Sequence, residues 1–482
     1  MQHQDKYKFN YKPKTKPFLH QVEAVKYIES HDVVALFDEQ GLGKTKIVIE
    51  AICNNIDQKT IDAALIVCRK NLINNWQQEI ETHSFLRSIV LRGTAKEKGI
   101  RFMGFAHFYL INYESVPGEI ERIKMFLGIR KFAVVLDESH AIKNPDSKIA
   151  STIIQLADLA VKRIIVSGTP VANKPEDLWN QFYFLDRGKL LGKDFRVFKS
   201  KYLTDLKDTQ SLVENDNFNE LQKLIAANSI RRKKADVLEL PEKRFIDKYV
   251  TLSGKQNKLY QQLRDELYIE IKDMDGNDII DESEDLLKKL LRLAQIASNP
   301  KLIDSSYNEV PAKFPVLEQL IEEVILRKQK VIVWSCFVEN IVTLNTYYQK
   351  HGSQKLYGDI PIDKRNTIIK RFKEDNESKI LFANPAAAKE GLTLTVANNA
   401  IYLDRNFNLV DYLQSQDRIH RISQDKECNI YKLIADETID EYIDEILIRK
   451  NSLAGYIQGD TKKLEFSSKL TKEDILKFLG TN

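Results

Sequence analysis

Residues 38–45 read DEQGLGKT, a glycine-rich stretch that ends in lysine and threonine. A short apolar run at 33–37 precedes it, and a helix-like run at 46–52 follows it. Glycines allow a loop to curl so that its backbone N–H groups face a phosphate, and the N-terminus of the next helix adds a positive dipole end. The stretch therefore predicts a phosphate-binding loop, with a surface turn as the alternative. In such a loop Lys44 would reach the β- and γ-phosphates of a nucleotide, and Thr45 would hold Mg²⁺.

A second stretch places two carboxylates at the end of an apolar strand. Residues 132–140 read FAVVLDESH. Ligands bind at the carboxyl ends of parallel strands, where Asp137 would hold Mg²⁺ through water and Glu138 would polarise an attacking water. A solvated strand end is the alternative, and the glycine-rich loop after another strand of the same block argues against it.

Short apolar runs of strand length occur in two blocks, with helix-like stretches between them. The runs of the first block are 33–37, 63–68, 132–136 and 163–166, and those of the second are 330–334, 379–382, 400–403 and 429–434. Continuous apolar runs are typical of strands buried on both faces, and their alternation with helices indicates parallel sheets. We therefore expect two α/β domains, with helical, charged insertions at about 175–240 and 253–298.

The composition of the 482 residues excludes several classes of protein. Hydrophobic residues make up 43%, which rules out a mainly disordered chain. No apolar run approaches the roughly 18 residues of a membrane span, and the polar N-terminus lacks a signal peptide, so we expect a cytoplasmic protein, or a nuclear one in a eukaryote. The net charge of +4 is nearly neutral, so nucleic acid would have to bind a local basic face. The widely separated Cys53, Cys68, Cys336 and Cys428 argue against a disulfide framework or zinc site, and we expect them buried and reduced.

Taken in order, these stretches resemble the motifs of Swi/Snf-type ATPases, the DNA translocases of helicase superfamily two. The resemblance extends from about residue 17 to residue 458. In the first half it is carried by FLHQ at 18–21, DEQGLGKT at 38–45, LIVCRKNLINNW at 65–76, DESHAIKNP at 137–145 and SGTP at 167–170. In the second half it is carried by YGD at 357–359, RNTIIKRF at 365–372, GLTLT at 391–395 and QSQDRIHRISQ at 414–424. The stretch RRKKADVLELP at 231–241 is similar to the family's bridge between lobes.

Several positions depart from the family pattern. Arg69 stands where the family usually has proline, Ser139 replaces the common alanine, and Ser423 replaces the usual glycine. Residues 386–390 lack the usual run of glycines. Ser139 and the sequence of residues 391–395 are most similar to those of the HARP-type annealing helicase branch and of bacterial or phage stand-alone homologues.

The resemblance implies a fold of two tandem RecA-like parallel-sheet domains with helical insertions. The implied boundaries are 1–235 for an ATP-binding lobe with an insertion at about 175–235, 236–310 for a bridge and an insertion of the second lobe, 311–460 for the C-terminal lobe, and 461–482 for a C-terminal brace.

The resemblance also implies ATP and Mg²⁺ as cofactors, with Gln21 reading the adenine. The implied catalytic residues are Lys44, Thr45, Asp137, Glu138, Arg418 and Arg421, of which Thr45 and Asp137 hold the metal. The implied nucleotide-binding residues are Gln21, Asp38, Gly41, Leu42, Gly43, Lys44, Thr45 and Gly391. Arg418 and Arg421 would share one face if the segment is helical and would act as arginine fingers on the transferring phosphoryl group. A basic pair on a solvated helix face is the alternative.

The function that the resemblance implies is ATP-driven translocation on double-stranded DNA by a monomeric motor, acting alone or within a DNA-processing or defence complex. Binding through phosphates would be independent of DNA sequence. The candidate DNA contacts are Lys70, Asn112, Ser335 and Thr395, and for each a loop or capping role is the alternative. Two other functions stay open: a strand-separating DNA or RNA helicase, and a non-hydrolysing DNA-binding subunit that ATP switches.

Overall fold

The computed structural model describes residues 12–171, 174–203, 216–252, 254–273, 284–390, 392–461 and 472–480. These residues form two compact units. The first unit contains the described residues within 1–205, 210–239 and 454–464, and the second contains those within 240–453 and 465–482. The chain therefore leaves the first unit near residue 239 and returns to it near residue 454.

The first unit is built on a parallel sheet. Its strands are β1 Val33–Leu36, β2 Ala63–Cys68, β3 Ser88–Val90, β4 Phe108–Asn112, β5 Phe132–Asp137, β6 Lys162–Val166 and β7 Ser229–Ile230. Within the described residues these seven strands follow the order β3-β4-β2-β5-β6-β1-β7. All residues of β2 are buried, as expected for a central strand whose two faces are both covered.

The register of this sheet brings two loop starts side by side. Val166 of β6 pairs with Leu36 of β1 on one side and with Asp137 of β5 on the other. Because the strands are parallel, the loop after Leu36 and the carboxylates after Leu136 leave the sheet at the same edge.

Helices in the first unit are amphipathic or fully buried segments packed around the sheet. They are α1 Leu19–Ser30, α2 Lys44–Asp57, α3 Ile73–His83, α4 Ala95–Met103, α5 Val116–Gly128, α6 Lys148–Ile154, α7 Trp179–Asp186, α8 Phe195–Tyr202, α9 Asp216–Ala227 and α10 Lys234–Val237. In the main core, Ile47 and Ile52 of α2 share one apolar cluster with Ile66 and Val135 of the sheet. Burial of this helix therefore fixes the position of the loop before it.

The second unit is also built on a parallel sheet. Its strands are β8 Lys243–Val250, β9 Val331–Trp334, β10 Gln354–Leu356, β11 Ile380–Ala383, β12 Asn399–Tyr402 and β13 Cys428–Ala435. Within the described residues the order is β10-β11-β9-β12-β13-β8. In the part of the chain that the structure describes, strand β8 pairs with β13 alone, and it exposes Phe245 and Tyr249, so it is an edge strand rather than a buried one.

The remaining helices belong mainly to the second unit. They are α11 Gly254–Asp273, α12 Glu284–Ser298, α13 Lys313–Leu326, α14 Val338–Tyr347, α15 Ile362–Glu374, α16 Leu409–Gln416, α17 Ile439–Ile457 and α18 Lys472–Leu479. Helix α17 starts in the second unit, and its last residues belong to the first.

The structure confirms the predicted fold class, two parallel-sheet α/β domains with helical insertions. Every strand predicted from an apolar run is present, with each end within about one residue of its expected position. The prediction of a purely helical segment at 175–240 is wrong, because β7 lies within it and pairs with β1. The described part of the chain contains no helix long and apolar enough to cross a bilayer. Cys53, Cys68 and Cys428 are buried as expected, whereas Cys336 is partly exposed.

Candidate active site

The glycine-rich loop joins β1 to α2 at the carboxyl edge of the first sheet. Gly41 and Gly43 have φ values of +87° and +78°, in the left-handed region that favours glycine. A Cβ added at Gly43 would lie 2.4 Å from Nε2 of Gln21, so a larger residue would displace that side chain. Helix α2 starts directly after Gly43, at Lys44, and its N-terminal N–H groups therefore face the loop.

Gln21 of α1 holds this loop from outside. Its Nε2 donates to the carbonyl of Leu42 over 3.3 Å, and its Oε1 accepts from the N–H of Phe18 over 3.0 Å. His20 Nε2 lies 3.1 Å from the same Leu42 carbonyl. The Gln21 side chain is buried in these contacts. The structure thus places Gln21 beside the loop, where it positions the backbone of Leu42 and Gly43.

Lys44 folds back over the loop. Its Nζ donates to the carbonyls of Asp38 over 2.8 Å and Glu39 over 3.2 Å. Burial lowers the pKa of Lys44, and the carboxylates of Glu138 and Asp38 oppose that change. Thr45 follows on the first turn of α2, partly exposed. A cation held by loop carbonyls at a helix N-terminus is well placed to meet phosphate oxygens.

The side chain of Asp38 is not directed at a ligand. It is fully buried, and its Oδ1 accepts from Nε and the backbone N–H of Arg232, each over 3.0 Å, while Oδ2 pairs with Nη2 of the same arginine. Glu39 accepts from the N–H of Lys234 over 2.7 Å. The predicted nucleotide contact of Asp38 is therefore replaced by a structural one, in which Asp38 ties the loop to the segment after β7.

Asp137 and Glu138 stand at the end of β5, next to the loop. Trp76 Nε1 donates to Asp137 Oδ2 over 2.7 Å, and the N–H of Glu138 donates to Oδ1 over 3.0 Å. Burial, followed by the charge of Glu138, raises the pKa of Asp137 to about 7, and the charge of Lys44 opposes the rise. Lys44 and Asp137 are therefore near enough to influence each other, as the strand register predicts.

Glu138 and its neighbours form a small polar cluster. Glu138 adopts a left-handed backbone conformation, with φ of +51°. Its Oε1 lies 3.4 Å from Nε2 of Gln40, and its Oε2 lies 3.4 Å from Nδ1 of His140. Ser139 is buried and donates to Oε1 of Gln181 over 2.6 Å. The left-handed turn therefore directs Glu138 to the glycine-rich loop, while Ser139 anchors the turn to α7.

The SGTP stretch at 167–170 completes this edge of the first sheet. A Cβ added at Gly168 would lie 2.5 Å from Cγ of Gln40 and 3.2 Å from Nζ of Lys44. The backbone at Gly168 thus approaches Lys44 closely. Arg231 Nη1 donates to the carbonyl of Phe37 over 2.6 Å and lies 3.4 Å from that of Gly168, while its Nε and Nη2 bind Asp460.

In the second unit, the predicted arginine fingers lie beyond the end of α16. The helix ends at Gln416, so Arg418 and Arg421 lie outside it and the condition for a shared helical face is not met. Arg418 is 2% exposed, and it donates to the carbonyls of Gln414 over 3.0 Å and Leu392 over 3.3 Å. This arginine therefore braces the loop in which it lies.

Arg421 is more accessible than Arg418. Its Nε donates to the carbonyl of Asp417 over 2.9 Å, and its Nη1 donates to Oγ1 of Thr393 over 3.2 Å. Gln424 Nε2 donates to carbonyls of Thr395 and Ala397 and so ties the loop after 391 to the arginine loop. Gly391 itself lies outside the described residues.

Comparison with known proteins assigns the chain to a family. Residues 20–302 match the SNF2-related domain, and residues 312–423 match the helicase conserved C-terminal domain. The first match alone covers more than half of the chain. The chain belongs to the SNF2-related family of helicase-like ATPases.

Similar proteins include bacterial and human members. The chain is 28% identical over 452 residues to an uncharacterized ATP-dependent helicase of Mycoplasma genitalium, covering 92% of this chain and 42% of that protein. It is 28% identical over 477 residues to the human SWI/SNF-related matrix-associated actin-dependent regulator of chromatin subfamily A member 1, covering 92% and 43%. The chain thus spans somewhat less than half the length of these curated relatives. The SWI2/SNF2 ATPase core of Sulfolobus solfataricus, solved with double-stranded DNA, is 26% identical, with 95% of this chain and 96% of that chain covered and a TM-score of 0.45.

The four DNA-contact candidates of this SNF2-related chain differ in their surroundings. Lys70 is exposed on the turn after β2, and Thr395 is partly exposed, with its hydroxyl 2.8 Å from that of Ser423. Asn112 is nearly buried and bonds to Glu114 and Ser115. Ser335 is buried and donates to Asp404 over 2.8 Å, so its predicted role at a DNA surface is wrong.

Sequence reasoning missed several contacts of this SNF2-related site. Arg231 and Arg232 were expected in the first lobe, at the start of a stretch similar to the family's bridge, but their contacts with the glycine-rich loop were not predicted. Asp38 and Arg232 are 194 positions apart, and no local pattern links them. Trp76 is buried, and its indole N–H donates to Asp137, a contact that the sequence did not predict.

Proposed function

We propose that the chain is an ATP-dependent translocase on double-stranded DNA, hydrolysing ATP to ADP and phosphate. The observation that carries the proposal is the convergence of Lys44, Asp137 and Glu138 at one edge of the first sheet, in a member of the SNF2-related family. The phosphate-binding loop supplies N–H donors and Lys44, and β5 supplies two adjacent carboxylates. This combination suits phosphoryl transfer to water.

Lys44, Thr45 and Asp137 fit a nucleotide that carries Mg²⁺. The raised pKa of Asp137 marks a buried carboxylate whose charge lacks full compensation, which is the environment a divalent cation would relieve. Thr45 and Asp137 would hold Mg²⁺, which when bound neutralises charge on the phosphate oxygens. Lys44 would bind the β- and γ-phosphates from the loop.

Glu138 would act on the attacking water. It accepts a proton from the water as the oxygen bonds to the γ-phosphorus, and the bond from that phosphorus to the β–γ bridging oxygen breaks to release ADP. The left-handed turn at Glu138 and its contact with Gln40 direct the carboxylate to the loop that would hold the nucleotide.

Arg421 would be the residue of the second unit that takes part in ATP hydrolysis. Because the buried Arg418 binds loop carbonyls, Arg421 is the better candidate to stabilise charge on the transferring phosphoryl group. We propose that Arg421 acts on the nucleotide during hydrolysis. States of the protein that differ in their affinity for ATP would then drive stepping along DNA.

Family membership supports DNA as the polymer, and contacts to phosphate would make binding independent of sequence and sensitive to salt. A triplex-displacement assay together with a forked-duplex unwinding assay tests the function. Translocation predicts ATP-dependent displacement of the third strand from a duplex track and no separation of the fork. Unwinding of the fork would identify a strand-separating helicase instead. DNA binding that responds to ATP without turnover would identify an ATP-switched subunit.

A further inference from the structure

Arg69 links the turn after β2 to the carboxylate proposed to act on water. It follows Cys68 directly and has an extended backbone, with φ of −68° and ψ of 148°. Its Nη2 lies 3.2 Å from Nε2 of His140, and His140 Nδ1 lies 3.4 Å from Oε2 of Glu138. The side chains of His140 and Glu138 are only 8% and 15% exposed, so little water competes with these contacts. Arg69, His140 and Glu138, which come from two loops, therefore form a continuous series of side-chain contacts.

The chemistry of arginine determines the form of His140. A guanidinium group carries only donors, so His140 Nε2 must accept from Arg69 and carries no proton. The neutral imidazole then has its proton on Nδ1, the atom that faces Glu138. A protonated His140 would carry an N–H at Nε2 as well, and two donors would then face each other at the contact with Arg69. Arg69 thus selects the tautomer that carries its proton on Nδ1, the nitrogen 3.4 Å from Oε2 of Glu138, and fixes the orientation of the ring.

The charge of Arg69 also acts on the neighbourhood of Asp137. The hydroxyl of Tyr113 donates to the Asp137 carbonyl over 2.9 Å. Burial raises the pKa of Tyr113, the charge of Asp137 adds to the rise, and the positive charge of Arg69 opposes it. Arg69 therefore acts on Tyr113, which binds the backbone carbonyl of Asp137, although Arg69 follows a different strand.

The same turn presents a basic side chain to solvent. Lys70, the next residue, is exposed, and the N–H of Leu72 donates to the carbonyl of Arg69 over 2.9 Å. Leu72 is buried beneath the turn. A phosphate bound at Lys70 would therefore restrain the backbone from which Arg69 reaches His140.

We propose that Arg69 is a positioning residue that aligns Glu138 through His140 and makes ATP turnover respond to duplex DNA bound at the turn Lys70–Leu72. This inference rests on the proposed function, because it assigns a role to Glu138 in hydrolysis and to Lys70 in DNA binding.

The test measures steady-state ATP hydrolysis by wild type, R69M and R69K, each with and without saturating duplex DNA. Methionine keeps most of the side-chain volume but removes the donors, whereas lysine keeps a donor. R69M should lower the DNA-stimulated kcat roughly ten-fold, the effect of losing one charge-assisted hydrogen bond. The KM for ATP and the Kd for DNA should stay the same, and R69K should recover part of the rate. Thermal unfolding of each variant shows that the fold is retained.

Two further variants separate alignment from simple DNA binding. K70A should raise the DNA concentration needed for half-maximal stimulation and also lower the saturated rate, because the phosphate contact that restrains the turn is lost. R92A, which removes an exposed arginine elsewhere in the first unit, should change neither quantity. The double variant R69M/H140A should hydrolyse ATP no more slowly than H140A, because both changes remove the contact of Arg69 with His140.

The proposal is overturned if R69M keeps the full saturated rate, if R69M shifts only the DNA concentration needed for half-maximal stimulation, or if the rate losses of R69M and H140A multiply in the double variant. The proposed function fails separately, in the wild-type measurements. If the wild type hydrolyses ATP but does not respond to DNA, DNA-driven translocation is contradicted. The role of Arg69 in aligning Glu138 is then tested by the kcat measured without DNA, which R69M must still lower. A wild type without hydrolysis overturns both.

Discussion

Glu138 has a strained backbone that fits a functional role. A non-glycine residue at φ of +51° costs about 1 kcal/mol or more, and this turn directs the side chain to Gln40 and His140. Glu138→Gln keeps the size of the side chain and removes its basicity. We expect kcat for ATP hydrolysis to fall about 10²–10⁴-fold with nucleotide binding retained. Parallel measurements of phosphate release and nucleotide affinity check this, and sustained turnover would refute the role of Glu138.

Asp137 should make the stability of the nucleotide-free protein depend on pH. Its pKa of about 7 in the folded chain lies above the ordinary value of 3.8, so its contribution to stability is present at low pH and is lost as pH rises through about 7. Asparagine at this position cannot ionise. The unfolding temperature of D137N should therefore exceed that of wild type by more at pH 8 than at pH 6. A difference in unfolding temperature between D137N and wild type that stays constant or becomes smaller as the pH rises would contradict the raised pKa of Asp137.

At the scale of elements, the close approach of the SGTP stretch to the glycine-rich loop can be probed with two glycines. A Cβ at Gly168 would collide with Gln40 and press on Lys44, whereas a Cβ at Gly118 of α5 meets nothing within 4 Å. G168A should weaken ATP binding by about 1–3 kcal/mol, the usual cost of overpacking. G118A should leave ATP binding unchanged and raise helix stability by up to about 1 kcal/mol. Calorimetric titration with ATP distinguishes the two, and equal affinities would contradict the contact.

The segment that returns to the first unit should stabilise the loop through one ion pair. Asp460 binds Nε and Nη2 of Arg231 over 3.1 and 2.7 Å, and Arg231 in turn binds the carbonyl of Phe37 at the end of β1. D460N should lower the free energy of unfolding by about 1–2 kcal/mol and weaken ATP binding. The control is D158N, which removes the partner of Arg187 over a contact of 3.2 Å. A stability loss in D460N no larger than in D158N would show that the pair is only a surface contact.

Burial explains why some strands were predicted and others missed, but not all of them, because the fully buried β4 was missed as well. Strand β2, apolar throughout, was predicted to the residue, since a fully covered strand needs a continuous apolar run. Strand β8 carries lysine, arginine and aspartate, because an edge strand needs only one partner and one covered face, and it was missed. Strand β7 has two residues, too few for any periodic pattern.

The site was predictable where its residues are local in sequence. Lys44 and Thr45 lie in one loop, and the strand register then explains why Asp137 is near them. The contacts of Arg232 with Asp38 and of Trp76 with Asp137 join residues 194 and 61 positions apart, and they depend on the completed fold. Arg418 was predicted from spacing, which says nothing about the end of α16 or the burial that follows it.

At the scale of the whole molecule, the account requires that residues of both units serve one reaction. The first unit carries the phosphate-binding loop and both carboxylates, and the second carries Arg421. Arg418→Ala should mainly lower the unfolding temperature, because Arg418 is buried among loop carbonyls. Arg421→Ala should leave the fold and nucleotide binding intact, because the side chain of Arg421 is partly exposed whereas that of Arg418 is buried.

The most direct test is the rate of ATP hydrolysis by wild type and R421A, measured without polymer and with single-stranded DNA, duplex DNA or RNA. We expect duplex DNA to stimulate the wild type most, and R421A to lose about 10³–10⁵-fold in turnover in every condition while still binding ATP. Wild-type turnover in R421A, or a wild type that duplex DNA does not stimulate, would contradict a motor built from these two units.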